Sequence, residues 1–402
     1  MFRNNQITFL LLGAGIIGVS IARELKRRYP NINITIIEKE ARAGEHASGR
    51  NSGVLHAGFY YTKDSLKAKF TKLGNAALTQ YCLDKNIPIN RCGKLVVARH
   101  EKELEGLQEL FRRGKQNDID VQIVSEKEAH EIEPRAKTFH QALFSPTTSS
   151  VDPRIVMQHM VDDAIQEGIQ IHYNTRYLRH HDNTVITNQG NYTYQYLINA
   201  AGLYADKIAK EFGFSKDFEI LPFKGLYLYG AATEQLKTHI YPVPVLENPF
   251  LGVHFTLTVD GIVKVGPTAI PAFWREQYHK MSKFNVKEMI EIMTREVSLF
   301  FNAGFNFKRL AWNEIKKYHR STLLKHAEEL VSGIDKNNFK HWGKPGIRAQ
   351  LLNTRTKTLE MDFMLEGDDQ SFHVLNAVSP AFTCAIPFSQ YAVDHIQQLA
   401  TI

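Results

Sequence analysis

The chain has 402 residues, 43% of them hydrophobic and 23% charged, with no like-charge block or Pro/Gly/Ser tract, which excludes a small binding module and a disordered tail. The formal net charge of +7 is diffuse and comes without a nucleic-acid motif or dense basic helix, so anionic small molecules or lipid surfaces are expected as partners and nucleic acid is not. Cys82, Cys92 and Cys384 have the spacing of neither a zinc site nor a disulfide framework, which points to a reducing compartment.

The opening MFRNNQ lacks the regions of a signal peptide, and the apolar run Ile7 to Leu12 is too short to span a bilayer, so a cytoplasmic protein is expected. That run reads as a buried parallel strand. It leads into Gly13-Ala14-Gly15-Ile16-Ile17-Gly18 and a helix in which Ile17, Ile21, Ala22 and Leu25 share a face, until Tyr29-Pro30 stops it. A second strand, Ile34 to Ile37, ends at Glu38.

This is the fingerprint of a dinucleotide site. Gly13 permits the tight turn, Gly15 admits the pyrophosphate to the backbone, and Gly18 lets helix and strand pack closely. Glu38, 20 residues beyond Gly18, is placed to accept hydrogen bonds from the adenosine ribose and would repel a 2'-phosphate. Ile17 and Lys39 complete the expected cofactor-binding set in this unit. The fingerprint serves NAD and FAD alike. The loop Gly44 to Gly58 follows, rich in glycine and hydroxyls, offering backbone N–H groups, Ser48, Arg50, Asn51 and Ser52 to a pyrophosphate and an extended ribityl chain.

This loop resembles the equivalent stretch of FAD-dependent oxidoreductases related to D-amino-acid oxidase, most closely that of the L-2-hydroxyglutarate oxidase and dehydrogenase family. Tyr60-Tyr61, Ser65-Leu66-Lys67-Ala68, the strand Cys92 to Ala98, the run Leu197 to Gly202 and the segment Asn376-Ala377-Val378-Ser379-Pro380-Ala381 extend the resemblance over nearly the whole chain. It implies an α/β fold: a Rossmann-type FAD-binding domain from residues 1–83, 151–217 and 345–402, interleaved with an antiparallel-sheet substrate domain from 84–150 and 218–344. It also implies flavin contacts at Ala201, Gly202, Ser379, Pro380, Ala381, Phe382 and Thr383, and an adenine contact at Tyr177. Phe382 and Cys384 are larger than expected in that closing turn.

The resemblance further implies oxidation of a 2-hydroxy acid, with L-2-hydroxyglutarate the leading candidate. An amino acid, a secondary amine and glycerol 3-phosphate are alternatives on the same fold, and a non-catalytic flavin-binding sensor or scaffold is the alternative of another class. Such an oxidation needs a base for the hydroxyl proton and cations for the carboxylates. His254, in a strand-like run from Pro249 to Thr256, and His56, among small residues of the cofactor loop, are the candidate bases. Lys224 and Arg348 are the candidate carboxylate partners, with Tyr60 and Tyr241 as hydrogen-bond donors. Lysine at 224, where the family more often has arginine, offers a point charge in place of a planar fork.

No second Gly-x-Gly-x-x-Gly unit offers an internal nicotinamide site, and no metal or serine-nucleophile motif is present. Electrons are therefore expected to pass to oxygen or a membrane quinone. Lys308-Arg309 and Lys316-Lys317, near Phe300-Phe301 and Phe305, suggest a peripheral contact at the inner membrane face, with an ordinary amphipathic helix as the alternative.

Overall fold

The structure, a computed structural model, describes residues 8–245, 250–302, 312 and 314–400. It forms two compact units: one from the segments up to Arg50, Pro153–Pro222 and from Arg348 onward, the other from Asn51–Asp152 and Phe223–Ile347.

In the first unit, β1 (Thr8–Leu12), α1 (Ile16–Arg28) and β2 (Asn33–Ile37) follow the fingerprint. After an excursion into the other unit come α2 (Pro153–Gln166), β3 (Gln170–His172) and β4 (Tyr196–Asn199), and later β5 (Met364–Gly367), β6 (Ser371–Asn376) and α3 (Ala381–Leu399). The sheet order is β5-β6-β4-β1-β2-β3, parallel except for β5 against β6. Strands β1 and β4 are near-continuous apolar runs because helices cover both faces of such a sheet, and β6 is buried throughout although Ser371, His373 and Asn376 are polar. Arginines on α1 tie it to its neighbours: Arg23 pairs with Asp163 of α2 at 3.0 Å, and Arg28 with Asp394 of α3 at 2.5 Å. Arg28 lies in the last turn of α1, where a cation also suits the helix dipole. As the sequence predicts, α1 stops at Arg28, ahead of Pro30.

The second unit is built on an eight-stranded sheet. Its order is His341–Trp342, Leu228–Tyr229, Val263–Gly266, His254–Leu257, His239–Pro242, Lys94–Val97, Gln141–Ser145 and Gln122–Ser125. Neighbours are antiparallel except for His239–Pro242 beside Lys94–Val97, so the sheet is mixed where a purely antiparallel one was expected. One face carries Leu95, Val97, Ile240, Phe255, Leu257, Val263 and Val265 in a continuous apolar core with Leu323, Leu324 and Phe339.

Residues 51–83, expected with the cofactor domain, group with this second unit. The reason is local pairing: the strand Val54–Leu55 pairs with Ser149–Val151, and Asn75 of the helix Leu66–Asp84 donates to the carbonyls of Leu55, His56 and Thr147 at 3.1, 3.2 and 3.2 Å.

Candidate active site

In the first unit, β1 delivers the chain to Gly13, whose N–H donates to the Ile37 carbonyl at 2.9 Å and locks the turn to the end of β2. Gly13 has φ +104°, and a Cβ there would lie 2.7 Å from the Ala200 carbonyl oxygen, so only glycine fits. At Gly18 a Cβ would lie 2.1 Å from the Gly13 oxygen; its absence lets α1 start directly against the turn. Gly15 caps α1 in an extended conformation with no side-chain cap, and the first turn holds Ile17 and no acidic residue. That end of the helix is suited to an anion. Ser48 Oγ accepts from the Ile16 N–H at 2.9 Å, which brings the following loop onto the same helix end.

Glu38 is buried at the end of β2. Its two carboxylate oxygens accept from the N–H groups of Ala14 at 2.8 Å and Glu40 at 2.9 Å, and Thr175 donates its N–H to the Glu38 carbonyl at 2.8 Å. Each carboxylate oxygen retains lone pairs for further donors such as ribose hydroxyls. Strand, glycine turn, a helix end free of acidic residues and a buried acid therefore fit a dinucleotide with an unphosphorylated 2' position.

The remaining expected cofactor residues are placed as follows. Lys39 pairs with the Glu40 carboxylate, bonds His46 Nε2 at 2.9 Å and lies 5.6 Å over the Tyr204 ring. Arg50 donates to the Glu45 carbonyl at 2.6 Å. Asn51 and Ser52 fall in the second unit, where their side chains accept from the N–H groups of Gly53 and Val54 at 2.8 and 3.3 Å, shaping the loop. Tyr177, expected at adenine, donates its hydroxyl to Glu211 at 2.6 Å, and burial with that carboxylate holds the phenol well above its ordinary pKa. Ala201 donates its N–H to Asn199 Oδ1 at 3.2 Å and precedes the short helical turn Gly202–Tyr204. Ser379-Pro380 form the entry to α3, whose first turn holds Ala381, half-buried Phe382 and Thr383 and has no acidic residue. Cys384 is buried.

The second unit holds a different chemistry. On the sheet face opposite the apolar core, strand alternation brings up Lys94, His239, Tyr241, His254, Thr256 and Lys264, with Lys94 paired to His239 and Thr256 to Lys264. All six are buried. His254 donates from Nδ1 to the Gly252 carbonyl at 2.7 Å; a carbonyl can only accept, so Nε2 is the lone-pair nitrogen. Burial lowers its pKa from 6.5 to about 3, with Lys94, Lys264 and Lys317 adding to the effect. The ring is therefore neutral, and it stacks on Tyr241 with centroids 3.8 Å apart and planes 15° apart.

The other side of Tyr241 belongs to Lys94, because the strand His239–Pro242 lies between Lys94–Val97 and His254–Leu257. The Lys94 ammonium is 4.3 Å from the Tyr241 centroid, 5.1 Å from Tyr60 and 5.4 Å from Phe59. Its Nζ and the Tyr60 hydroxyl are buried with no hydrogen-bond partner, and burial lowers the Lys94 pKa from 10.5 to about 7. Lys264 lies 5.2 Å over Tyr227, donates to the Ser52 carbonyl at 2.7 Å, and is lowered by burial from 10.5 to about 8.

His239 shows why this face needs the structure to be read. Its Nδ1 accepts from the Leu257 N–H at 3.0 Å and its Nε2 bonds Ser150 Oγ at 3.3 Å, so both nitrogens are used. Burial lowers its pKa. His239 is a framework histidine, whereas His254 keeps a nitrogen for chemistry.

His56 is half-buried beyond the strand Val54–Leu55, its carbonyl held by Asn75. Lys224 is half-buried on the strand Phe218–Gly225, and burial lowers its pKa. Arg348 is half-buried on the strand Gly346–Asn353 and is the residue at which the chain returns to the first unit. Nearby in that unit, Asn376 accepts from the Leu351 N–H at 3.3 Å and donates to the Glu360 and Asp362 carbonyls.

Lys94 and Lys264 are additions that sequence reasoning missed. The available signal was a lysine inside an otherwise apolar strand, Lys94-Leu95-Val96-Val97 and Val263-Lys264-Val265. Of the expected membrane residues, Phe305, Lys308 and Arg309 lie outside the described residues. Lys317 does not serve a basic surface: it is buried and paired with the Glu314 carboxylate. No helix among the described residues is long and apolar enough to cross a membrane.

Comparison with known proteins agrees with this geometry. The profile of the DAO family, FAD dependent oxidoreductase, matches residues 9–394. The L-2-hydroxyglutarate dehydrogenase of Escherichia coli K12 is 36% identical over 399 residues, covering 97% of this chain and 93% of its own. The mitochondrial L-2-hydroxyglutarate dehydrogenase of Homo sapiens is 33% identical over 418 residues, covering 98% and 89%. Among solved structures, the FAD-bound L-alpha-glycerophosphate oxidase of Mycoplasma pneumoniae has a TM-score of 0.77 at 25% identity, covering 98% of this chain and 95% of its own. Glycine oxidase from Geobacillus kaustophilus has a TM-score of 0.73 at 17% identity, covering 98% and 95%, a likeness of fold.

Proposed function

Because the chain belongs to the DAO family of FAD-dependent oxidoreductases, in the branch of the L-2-hydroxyglutarate dehydrogenases, we propose that it oxidises L-2-hydroxyglutarate to the 2-oxo acid. The observation that carries this reading is His254. It is a buried neutral imidazole whose tautomer is set by Gly252, whose Nε2 is open to accept a proton, and whose sheet face also carries Lys264 and Lys94.

Bound FAD supplies the acceptor for the hydride leaving C2; Gly13, Gly15, Gly18, Ser48 and Glu38 would hold it. The residues of the second unit do the rest. His254 Nε2 takes the substrate hydroxyl proton, and stacking on Tyr241 fixes the imidazole plane so that the lone pair keeps one direction. His56 is the second candidate for that proton. Lys264, Lys224, Arg348 and the hydroxyls of Tyr60 and Tyr241 are proposed to meet the two carboxylates. The electron acceptor would be oxygen or a membrane quinone.

The test is anaerobic mixing of the FAD-loaded protein with L-2-hydroxyglutarate, its D-enantiomer, glycerol 3-phosphate, glycine and sarcosine. Selective bleaching by L-2-hydroxyglutarate is expected; a flavin that stays yellow with it refutes the assignment. Glycerol 3-phosphate is the second reading, favoured by the fold likeness to the glycerophosphate oxidase and by buried lysines that suit a phosphate equally well.

A further inference from the structure

The parallel sheet of the first unit carries polar side chains at positions where a strand covered on both faces calls for apolar ones. Leu12, Asn199 and His373 stand in one row across β1, β4 and β6, and Ser371 lies two residues before His373 on the same face. Asn199 and His373 are 0% exposed and Ser371 is 1% exposed.

These groups form a chain of hydrogen bonds that runs in one direction. Asn199 Nδ2 donates to the Ala205 carbonyl at 2.8 Å and to His373 Nδ1 at 3.1 Å, which uses both of its hydrogens. Its Oδ1 accepts from the Ala201 N–H at 3.2 Å. An amide nitrogen can only donate, so His373 Nδ1 accepts, and the ring proton sits on Nε2, which donates to Ser371 Oγ at 3.0 Å. Ser371 Oγ donates in turn to the Asp368 carboxylate at 3.3 Å. The same Asp368 oxygen is anchored by the N–H groups of Gln370 and Ser371 at 2.9 and 2.8 Å. Phe212 and Phe214 hold the imidazole plane, with ring centroids 5.2 and 4.9 Å from that of His373. Burial lowers the His373 pKa from 6.5 to about 4, with Asp368 opposing the shift and His180 adding to it, so Nδ1 keeps its lone pair at neutral pH.

The other end of this chain is the turn that touches the dinucleotide fingerprint. The Ala200 N–H donates to the Leu12 carbonyl at 3.0 Å, and the Ala200 oxygen is the atom 2.7 Å from the place of a Gly13 Cβ. Strands β1 and β4 are parallel neighbours, and a sheet of this kind binds its ligand at the carboxyl ends of its strands.

We propose that His373 is a positioning residue for FAD: by accepting from Asn199 it fixes which way that amide points, and so holds the Ala200–Gly202 turn against Gly13 in the shape the cofactor needs. Without the acceptor, one Asn199 N–H is buried unpaired, and the amide can turn its nitrogen toward the Ala201 N–H, where two donors oppose each other. This role concerns the cofactor alone and holds whichever substrate is oxidised.

Dilution of the FAD-loaded full-length protein, with released flavin read by its fluorescence, gives the dissociation constant that tests it. His373→Gln reaches toward Ser371 but lacks the acceptor at Nδ1, and it should weaken FAD binding by about tenfold or more. His373→Asn places its Oδ1 near the position of Nδ1 and should stay within about threefold of wild type. Visible circular dichroism of the bound flavin should change in the glutamine variant and return in the asparagine variant. Asn199→Ala should lose about as much affinity as His373→Gln, and the double variant no more than the larger single loss, because the two side chains act as one unit. A His373→Gln protein that holds FAD as tightly as wild type overturns the proposal. Equal losses in the glutamine and asparagine variants, or additive losses in the double variant, also overturn it, since they mark His373 as packing alone.

Discussion

Replacing Lys94 by methionine should make the protein more stable and less active. The Lys94 ammonium is 0% exposed, has no hydrogen-bond partner, and is lowered from 10.5 to about 7 by burial. A shift of about 3.5 units corresponds to roughly 5 kcal/mol, and at pH 7, where the folded group is half-charged, to about 4 kcal/mol against folding. The rings of Phe59, Tyr60 and Tyr241 return part of this, each worth roughly 0.5–2 kcal/mol. Methionine keeps the unbranched shape, packs well against aromatic rings and removes the charge, so a net gain of up to about 2.5 kcal/mol at pH 7 is expected. The pH dependence gives a sharper signature. The unfolded lysine keeps its proton up to about pH 10.5 while the folded one loses it near 7, so the unfolded state binds more protons between these values. Wild-type stability therefore contains a term that rises with pH across that window, and the Lys94→Met variant lacks it. Urea unfolding of both FAD-loaded proteins at pH 7 and pH 9.5 measures the difference. A variant less stable than wild type at pH 7, with an unchanged gap at pH 9.5, refutes the reasoning. A more stable variant that reduces its flavin more slowly marks Lys94 as retained for function at the expense of stability.

His254→Gln should slow anaerobic flavin reduction by about 10²- to 10⁴-fold with little change in the spectrum of bound FAD; a fully active variant would shift the base role to His56. Lys264 is charged below about pH 8 and neutral above it, so attraction for a dianionic substrate is lost as pH rises through that value. The ratio kcat/KM should fall above pH 8, and Lys264→Met should lower and flatten the profile; an alkaline limb unchanged in the variant counts against this. Gly18→Ala, which sets a Cβ 2.1 Å from the Gly13 oxygen, should yield protein depleted of flavin, read as the ratio of flavin to protein absorbance on purification. Normal flavin content would show that α1 can shift without losing the cofactor.

The nucleotide-binding half was legible in the sequence because its determinants are local. Steric limits at Gly13 and Gly18, the helical spacing of Ile17, Ile21 and Leu25, and the position of Glu38 act within one β-α-β unit. The proton-handling half was legible only in part. Composition and motif placed His254 and Tyr241 among the candidates, yet nothing in their own segments separates His254 from His239. That distinction comes from cross-strand register: His239 spends both nitrogens on Leu257 and Ser150, while His254 spends one on Gly252. Lys94 was hidden for the same reason, since its partner in the sheet, His239, is far away in the chain. The sequence alone determined the dinucleotide fingerprint and the family; the tertiary structure decided which histidine is free and which lysines are buried. The physical reason is range: backbone sterics and helical period are properties of neighbours along the chain, whereas burial and hydrogen-bond satisfaction depend on residues that only folding brings together.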